Sequence, residues 1–162
     1  MSGYAAGDPV GHEPLVPVLA EQGALAMDEA ELRDWGRRFG RSAHPPLVVT
    51  LEGDLGAGKT TLVQAICEGY GVREEVTSPT FALVQEYESP RSTVYHLDLY
   101  RLERPDQLDA LAWDEIMSAR ALVLVEWPDR AGDRLPNGRV ILSLQHLPDD
   151  AARRLLYAGW HP

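Results

Sequence analysis

The chain of 162 residues is long enough for one domain with a real core, since a chain this size hides roughly 70% of its extended surface on folding. One cysteine, Cys67, excludes a disulfide framework and a thiolate zinc site; no apolar run suits a membrane span, and neither a secretory leader nor an oxidising setting is expected, but a reduced, cytoplasmic one. A net charge of -10, from 25 acids against 15 bases, disfavours direct DNA binding or a broad RNA-binding face.

Residues 1–22 carry scattered glycine and proline with no sustained period, which predicts a mobile extension with at most a short strand over 15–19. Residues 23–162 are expected to form a single domain. Asp28 followed by Glu31 has the form of a capping box, and Leu32, Trp35, Gly36 and Phe39 keep helical spacing, so 28–41 is predicted as an amphipathic helix. Pro45 and Pro46 stop it. Residues 47–51 form an apolar, β-branched run and read as a buried strand. A glycine-rich turn follows over 53–58, then a helix over 59–68 closed by Gly69 and Gly71. Segments 81–87 and 93–97 alternate around Ser89, Pro90 and Arg91, which predicts a hairpin. One or two short helices are expected over 105–117. A second fully apolar strand follows over 121–125, with further strands over 140–144 and 155–158. Strands mixed with helices imply a layered α/β domain.

Gly53, Asp54, Leu55, Gly56, Ala57, Gly58, Lys59 and Thr60 spell G-x-x-x-x-G-K-T between a strand and a helix, the setting that a phosphate-binding loop requires. Glycines let successive backbone N–H groups curve into an anion nest, and the helix N-terminus adds its positive dipole end. Thr61 continues the segment. Lys59 supplies a compact charge for the β- and γ-phosphates, and the Thr60 hydroxyl suits Mg²⁺. Lys59 is the only lysine among the 15 bases; the rest are arginine. An Asn-Lys-x-Asp guanine motif therefore cannot exist, which favours ATP over GTP. The third glycine of a dinucleotide fingerprint is missing. The strand over 121–125 runs into Glu126, and 94–97 runs into Asp98; two such acids suit a division of work between metal and attacking water, the plainer readings being a strand-to-loop exit for Glu126 and a solvated loop acid or helix cap for Asp98. Thr77, Ser78, Pro79 and Thr80 form a hydroxyl-rich loop where a switch-like segment or a plain turn is equally expected. His96 is read as a packed histidine rather than a metal ligand with Asp98, Trp127 as core or rim packing, Cys67 as a buried hydrophobe, and the acids of 106–115 as a solvated face.

Beyond the loop, Ser78, Pro79, Thr80 and Phe81, then Leu83 to Tyr87, then Tyr95, His96, Leu97, Asp98, Leu99, Tyr100 and Arg101, and finally Glu126, Trp127, Pro128, Leu135 and Pro136 stand in an order that resembles the TsaE family. That is the small bacterial ATPase of tRNA threonylcarbamoyladenosine biosynthesis, and the resemblance spans roughly 24–158. It implies a three-layer P-loop NTPase-like α/β fold with a mixed central sheet, and Mg²⁺-dependent ATP binding and hydrolysis. By the same resemblance Thr60 and Glu126 are metal ligands, Asp98 positions or activates water, and Thr80 sits in a switch-like loop. The implied partners are TsaD-like and TsaB-like proteins, with tRNA reached indirectly through their complex. Where the family carries a glutamate-rich segment ending in Leu-Gly, this chain has Ala112 at the glycine.

Two other activities fit the same loop and acids. A small-molecule kinase needs an acceptor pocket and a basic lid, for which Arg130, Arg134 and Arg139 are candidates. A nucleotide-dependent binding module needs no turnover.

Overall fold

The computed structural model describes residues 24–77 and 83–162, so the readings of 1–22 and of Ser78, Pro79, Thr80 and Phe81 lie outside the described residues. Seven strands form one sheet: β1 (Ala24–Asp28), β2 (Leu47–Glu52), β3 (Val84–Glu88), β4 (Thr93–Asp98), β5 (Leu122–Glu126), β6 (Arg139–Leu147) and β7 (Asp150–His161). Their order across the sheet is β1-β7-β6-β2-β5-β4-β3. The central four, β6, β2, β5 and β4, run parallel; β3 pairs antiparallel with β4, β7 with β6, and β1 with β7. This is the mixed α/β sheet that the sequence resemblance implied.

Helix α1 (Glu29–Ser42) starts where expected. The Glu31 N–H donates to Asp28 Oδ1 at 2.8 Å, and the Asp28 N–H donates to Glu31 Oε1 at 3.0 Å. Its buried stripe of Leu32, Trp35, Gly36, Phe39 and Gly40 faces α2 (Lys59–Tyr70). The two helices cover one face of the sheet, over Val49, Leu51, Leu122, Leu124 and Val140. The opposite face, with Val48, Leu97, Val123 and Val125, is covered by a 3₁₀ segment (Pro105–Leu111) and α3 (Trp113–Ser118), through Leu108, Trp113 and Ile116. Three layers result. Parallel strands buried on both faces explain why 47–51 and 121–125 read as unbroken apolar runs.

The structure departs from the sequence reading at three places. Helix α2 does not end at residue 68; it continues through Gly69 to Tyr70 and closes at Gly71, whose φ is 108°. Strand β1 was not expected, and the terminal hairpin is longer than 140–144 and 155–158. At the position where the resemblance leads one to expect glycine, Ala112 adopts φ 59° and ψ 41° between the 3₁₀ segment and α3. The chain keeps this left-handed turn although a Cβ there costs about 1–2 kcal/mol. The acids Asp106, Asp109, Asp114 and Glu115 are exposed, as read from sequence. No helix of the described residues is long and apolar enough to cross a membrane.

Candidate functional site

Parallel strands leave their C-terminal ends at one edge of the sheet, where α/β proteins place ligands. β2 ends there and hands the chain to the glycine-rich loop. Gly53, Gly56 and Gly58 have φ of 146°, 77° and 104°, all in the region that L side chains avoid. These angles turn the loop back on itself and set Gly58 as the N-cap of α2 with no side-chain cap. The helix therefore presents its N-terminal amides and dipole to the cleft, and its first turn holds no acid to compete with an anion.

Lys59 is buried, and its Nζ donates to the carbonyls of Gly53 and, at 2.8 Å, Asp54. Burial holds its pKa below the usual lysine value, while Glu126, Asp98 and Asp54 oppose that shift. Asp98 and Glu126 are register partners on adjacent strands β4 and β5, so both carboxylates leave the same face of the sheet. The Tyr100 N–H donates to Asp98 Oδ1 at 3.0 Å. Desolvation pushes the Asp98 pKa up and Glu126 adds to the rise, against the Tyr100 hydrogen bond, His96 and Lys59. Leu55, Gly56, Gly58, Lys59, Thr60, Thr61, Asp98, Tyr100, Glu126 and Trp127 together line a cleft of about 380 Å³.

The wall of this cleft is aromatic. Trp127 follows Glu126 with φ 55° and ψ 52°, an uncommon conformation for a bulky residue, and its ring lies 4.6 Å from Lys59 Nζ. Tyr100 packs on that ring with centroids 4.9 Å apart. Trp127 thus combines the rim packing read from sequence with a contact to the lysine. A second cavity of about 200 Å³ adjoins the loop on its other side, lined by Leu32, Ala57, Ala151 and Ala152 and sharing Gly58 and Thr61 with the first. Sequence reasoning missed it, because it joins α1, the loop and the β6–β7 hairpin.

Gly53, Asp54, Leu55, Gly56, Ala57, Gly58, Lys59, Thr60 and Thr61 are therefore gathered with Asp98 and Glu126; Thr80 lies outside the described residues. Among the described residues no three His, Cys, Asp or Glu side chains converge as a metal cage. One hydroxyl and two carboxylates beside an anion nest instead suit a hard cation that completes its oxygen shell from phosphate and water. Of the arginines considered for a lid, Arg134 and Arg139 are engaged away from the cleft, while Arg130 lies 5.7 Å over the ring of Tyr100, which lines it. Arg130 donates to the Leu102 carbonyl, Arg134 pairs with Asp109 and Asp114, and Arg139 donates to the Pro136 carbonyl. Cys67 is buried and its pKa is pushed up to about 12, which makes it an inert hydrophobe.

Asp98 carries a cost that is measurable. A carboxylate whose folded pKa is raised binds its proton more tightly in the native state, so stability is lost as pH rises from its ordinary value of 3.8 through the folded value. Asp98→Asn keeps the Oδ1 acceptor for Tyr100. It is expected to raise the Tm of the unliganded protein at pH 7, and the gain is expected to vanish below pH 3.8. Thermal unfolding across pH checks this; a gain that persists in acid contradicts it.

The family profile described as "Threonylcarbamoyl adenosine biosynthesis protein TsaE" matches residues 26–155. The chain is similar to the tRNA threonylcarbamoyladenosine biosynthesis protein TsaE of Bacillus subtilis, with 41% identity over 108 residues, 67% of each chain. It is also similar to the Haemophilus influenzae protein of that name, with 32% identity over 75% of this chain and 80% of the relative. The Rickettsia bellii protein shares 37% identity over 75% of this chain and 85% of the relative. Among solved structures, Bacillus subtilis YdiB superposes with a TM-score of 0.69 and 29% identity, covering 84% of this chain and 85% of that one.

Proposed function

Because this chain belongs to the TsaE family of tRNA threonylcarbamoyladenosine biosynthesis, we propose that it binds and hydrolyses ATP with Mg²⁺ in support of threonylcarbamoyl transfer by a TsaD–TsaB-type complex. One observation carries the reading: the uncapped N-terminus of α2 and Lys59 face Asp98 and Glu126 across a single cleft.

The cleft suits the phosphate tail, with Lys59 exchanging its loop carbonyls for β- and γ-phosphate oxygens. Thr60 and Glu126 would hold Mg²⁺. When bound, that ion would supply positive charge against the developing charge on the phosphate tail. Asp98, its Oδ1 fixed by Tyr100, orients the attacking water and takes up its proton; the upward pKa makes it the better base. Trp127 and Tyr100 limit water access on the other side of Lys59. The adjoining cavity beside Leu32 suits the nucleoside end, since it shares Gly58 and Thr61 with the phosphate cleft. Thr80 retains its proposed place in the switch-like loop. TsaD-like and TsaB-like proteins are the partners, and tRNA is met through them.

Incubation with γ-labelled ATP tests the proposal. Free phosphate is expected in Mg²⁺ and none in EDTA, at roughly 10⁻³ s⁻¹ for the isolated chain, the range of P-loop hydrolases without an arginine supplied by a partner. Label on a small acceptor means a kinase, and tight binding without phosphate release means a binding module; either overturns hydrolysis as the function.

A further inference from the structure

The proposed mechanism uses Glu126 but not His96, the buried side chain bonded to it. His96 lies two residues before Asp98 on β4, so its side chain leaves the same face as Asp98 and Glu126. It is fully buried, and its Nε2 lies 2.6 Å from Glu126 Oε2. Nδ1, the other ring nitrogen, is buried with no hydrogen-bond partner among the described residues. A group that merely filled this space would be cheaper as leucine, because a buried imidazole with one orphan nitrogen forfeits hydration without full recompense. The bond to Glu126 gives the imidazole a reason to be there.

We propose that His96 is a positioning residue: in its Nε2–H tautomer it donates to one oxygen of Glu126 and fixes the carboxylate in the orientation that the magnesium site requires. The tautomer follows from the surroundings. An ionised carboxylate accepts, so the ring donates from Nε2, and the orphan Nδ1 then carries a lone pair rather than an unpaired N–H. Glu126 needs such a partner. It stands at the last residue of β5, is 3% exposed, and also lines the cleft, so its carboxylate sits between a packed interior and the ligand space. A long side chain left without a bond there would sample several rotamers. Hydrogen bonds behind a ligating carboxylate typically change metal affinity 10–100-fold. The inference rests on the reading of the cleft as a magnesium–nucleotide site.

Two substitutions separate positioning from packing. His96→Leu keeps apolar volume and removes the donor, whereas His96→Gln places an amide N–H at about the reach of Nε2. Binding of a fluorescent, nonhydrolysable ATP analogue is titrated with MgCl₂ and repeated in EDTA. For His96→Leu the magnesium concentration at half-saturation is expected to rise about 10-fold or more, with binding in EDTA unchanged. For His96→Gln it is expected to stay within about 3-fold of the parent. Equal magnesium requirements in all three proteins, or equal losses in both variants, overturn the inference. A parent protein whose binding ignores magnesium overturns the reading of the cleft, and the inference with it. Should His96→Leu fail to fold, ¹H–¹⁵N spectra of the imidazoles in the unliganded parent decide. A protected Nε2–H signal, lost in His96→Gln, supports the assignment; a proton on Nδ1 overturns it.

Discussion

Lys59→Ala is expected to reduce ATP affinity by about 100-fold or more, and hydrolysis with it, while leaving the unliganded fold within a few degrees of its parent Tm. The first half follows from what the ammonium offers. Charge-assisted hydrogen bonds contribute about 1.5–3 kcal/mol each, and Lys59 has at least two donors aimed at loop carbonyls that phosphate oxygens would replace. The second half follows from two opposed terms. Removing Lys59 leaves the carbonyls of Gly53 and Asp54 short of a donor, but it also removes a cation that burial disfavours. The pH dependence has a definite sign. A base whose folded pKa is lowered binds its proton less well in the native state, so its cost is present at neutral pH and lifts as pH rises from the folded value toward 10.5. The parent is therefore expected to gain stability on Lys59→Ala as pH approaches 10. Lys59→Arg is expected to weaken binding as well, because a planar, fork-shaped guanidinium does not reproduce the compact point charge that the Gly53 and Asp54 carbonyls surround. Calorimetric titration with ATP measures both variants. ATP affinity that survives Lys59→Ala contradicts the assignment of the cleft.

The loop was legible because its information is local: eight consecutive residues carry the turn, the nest and the charge. Glu126 and Asp98 were legible because each closes an apolar run. Their adjacency was not, since it depends on β4 and β5 being neighbours in parallel register. The same holds for His96, whose partner stands 30 residues away, and for the cavity beside Leu32. Strand β1 escaped because Ala24, Leu25, Ala26 and Met27 favour helix by residue type and become a strand only by pairing with Arg153 to Tyr157, near the other end of the chain. Trp127 read as packing because its unusual backbone, which carries the ring to Lys59, has no signature in the residue type.

Gly69 is a different case, since its residue type was noticed and its reason misread. It is not a stop signal but a contact point. An ideal Cβ on Gly69 would lie 2.0 Å from the Arg37 carbonyl oxygen and 2.8 Å from the Arg37 Cα, both backbone of α1. Reciprocally, a Cβ on Gly40 would lie 2.1 Å from the Ile66 carbonyl oxygen of α2. Neither obstacle can rotate away, so an alanine must push the helices apart by about 1 Å and open the stripe of Trp35, Phe39, Leu62 and Ile66 between them. Overpacking of this kind costs about 1–3 kcal/mol or more, against which alanine recovers roughly 1 kcal/mol of helix propensity. Backbone contacts place these sites at the upper end, so Gly69→Ala and Gly40→Ala are each expected to lower Tm by about 5–10 °C. Gly132→Ala isolates backbone strain instead: nothing lies within 4 Å of the added Cβ, but φ 57° with ψ −134° is a conformation that suits glycine and not alanine. The double variant is expected to lose less than the sum, because helices already separated by the first methyl accommodate the second. Lys59 sits ten residues from Gly69 on α2, roughly 15 Å along the helix, so ATP affinity of the folded fraction is expected to change only a few-fold. Thermal unfolding with and without ATP measures both effects. A Gly69→Ala variant as stable as the parent would mean that the helices are not held at this distance by their glycines.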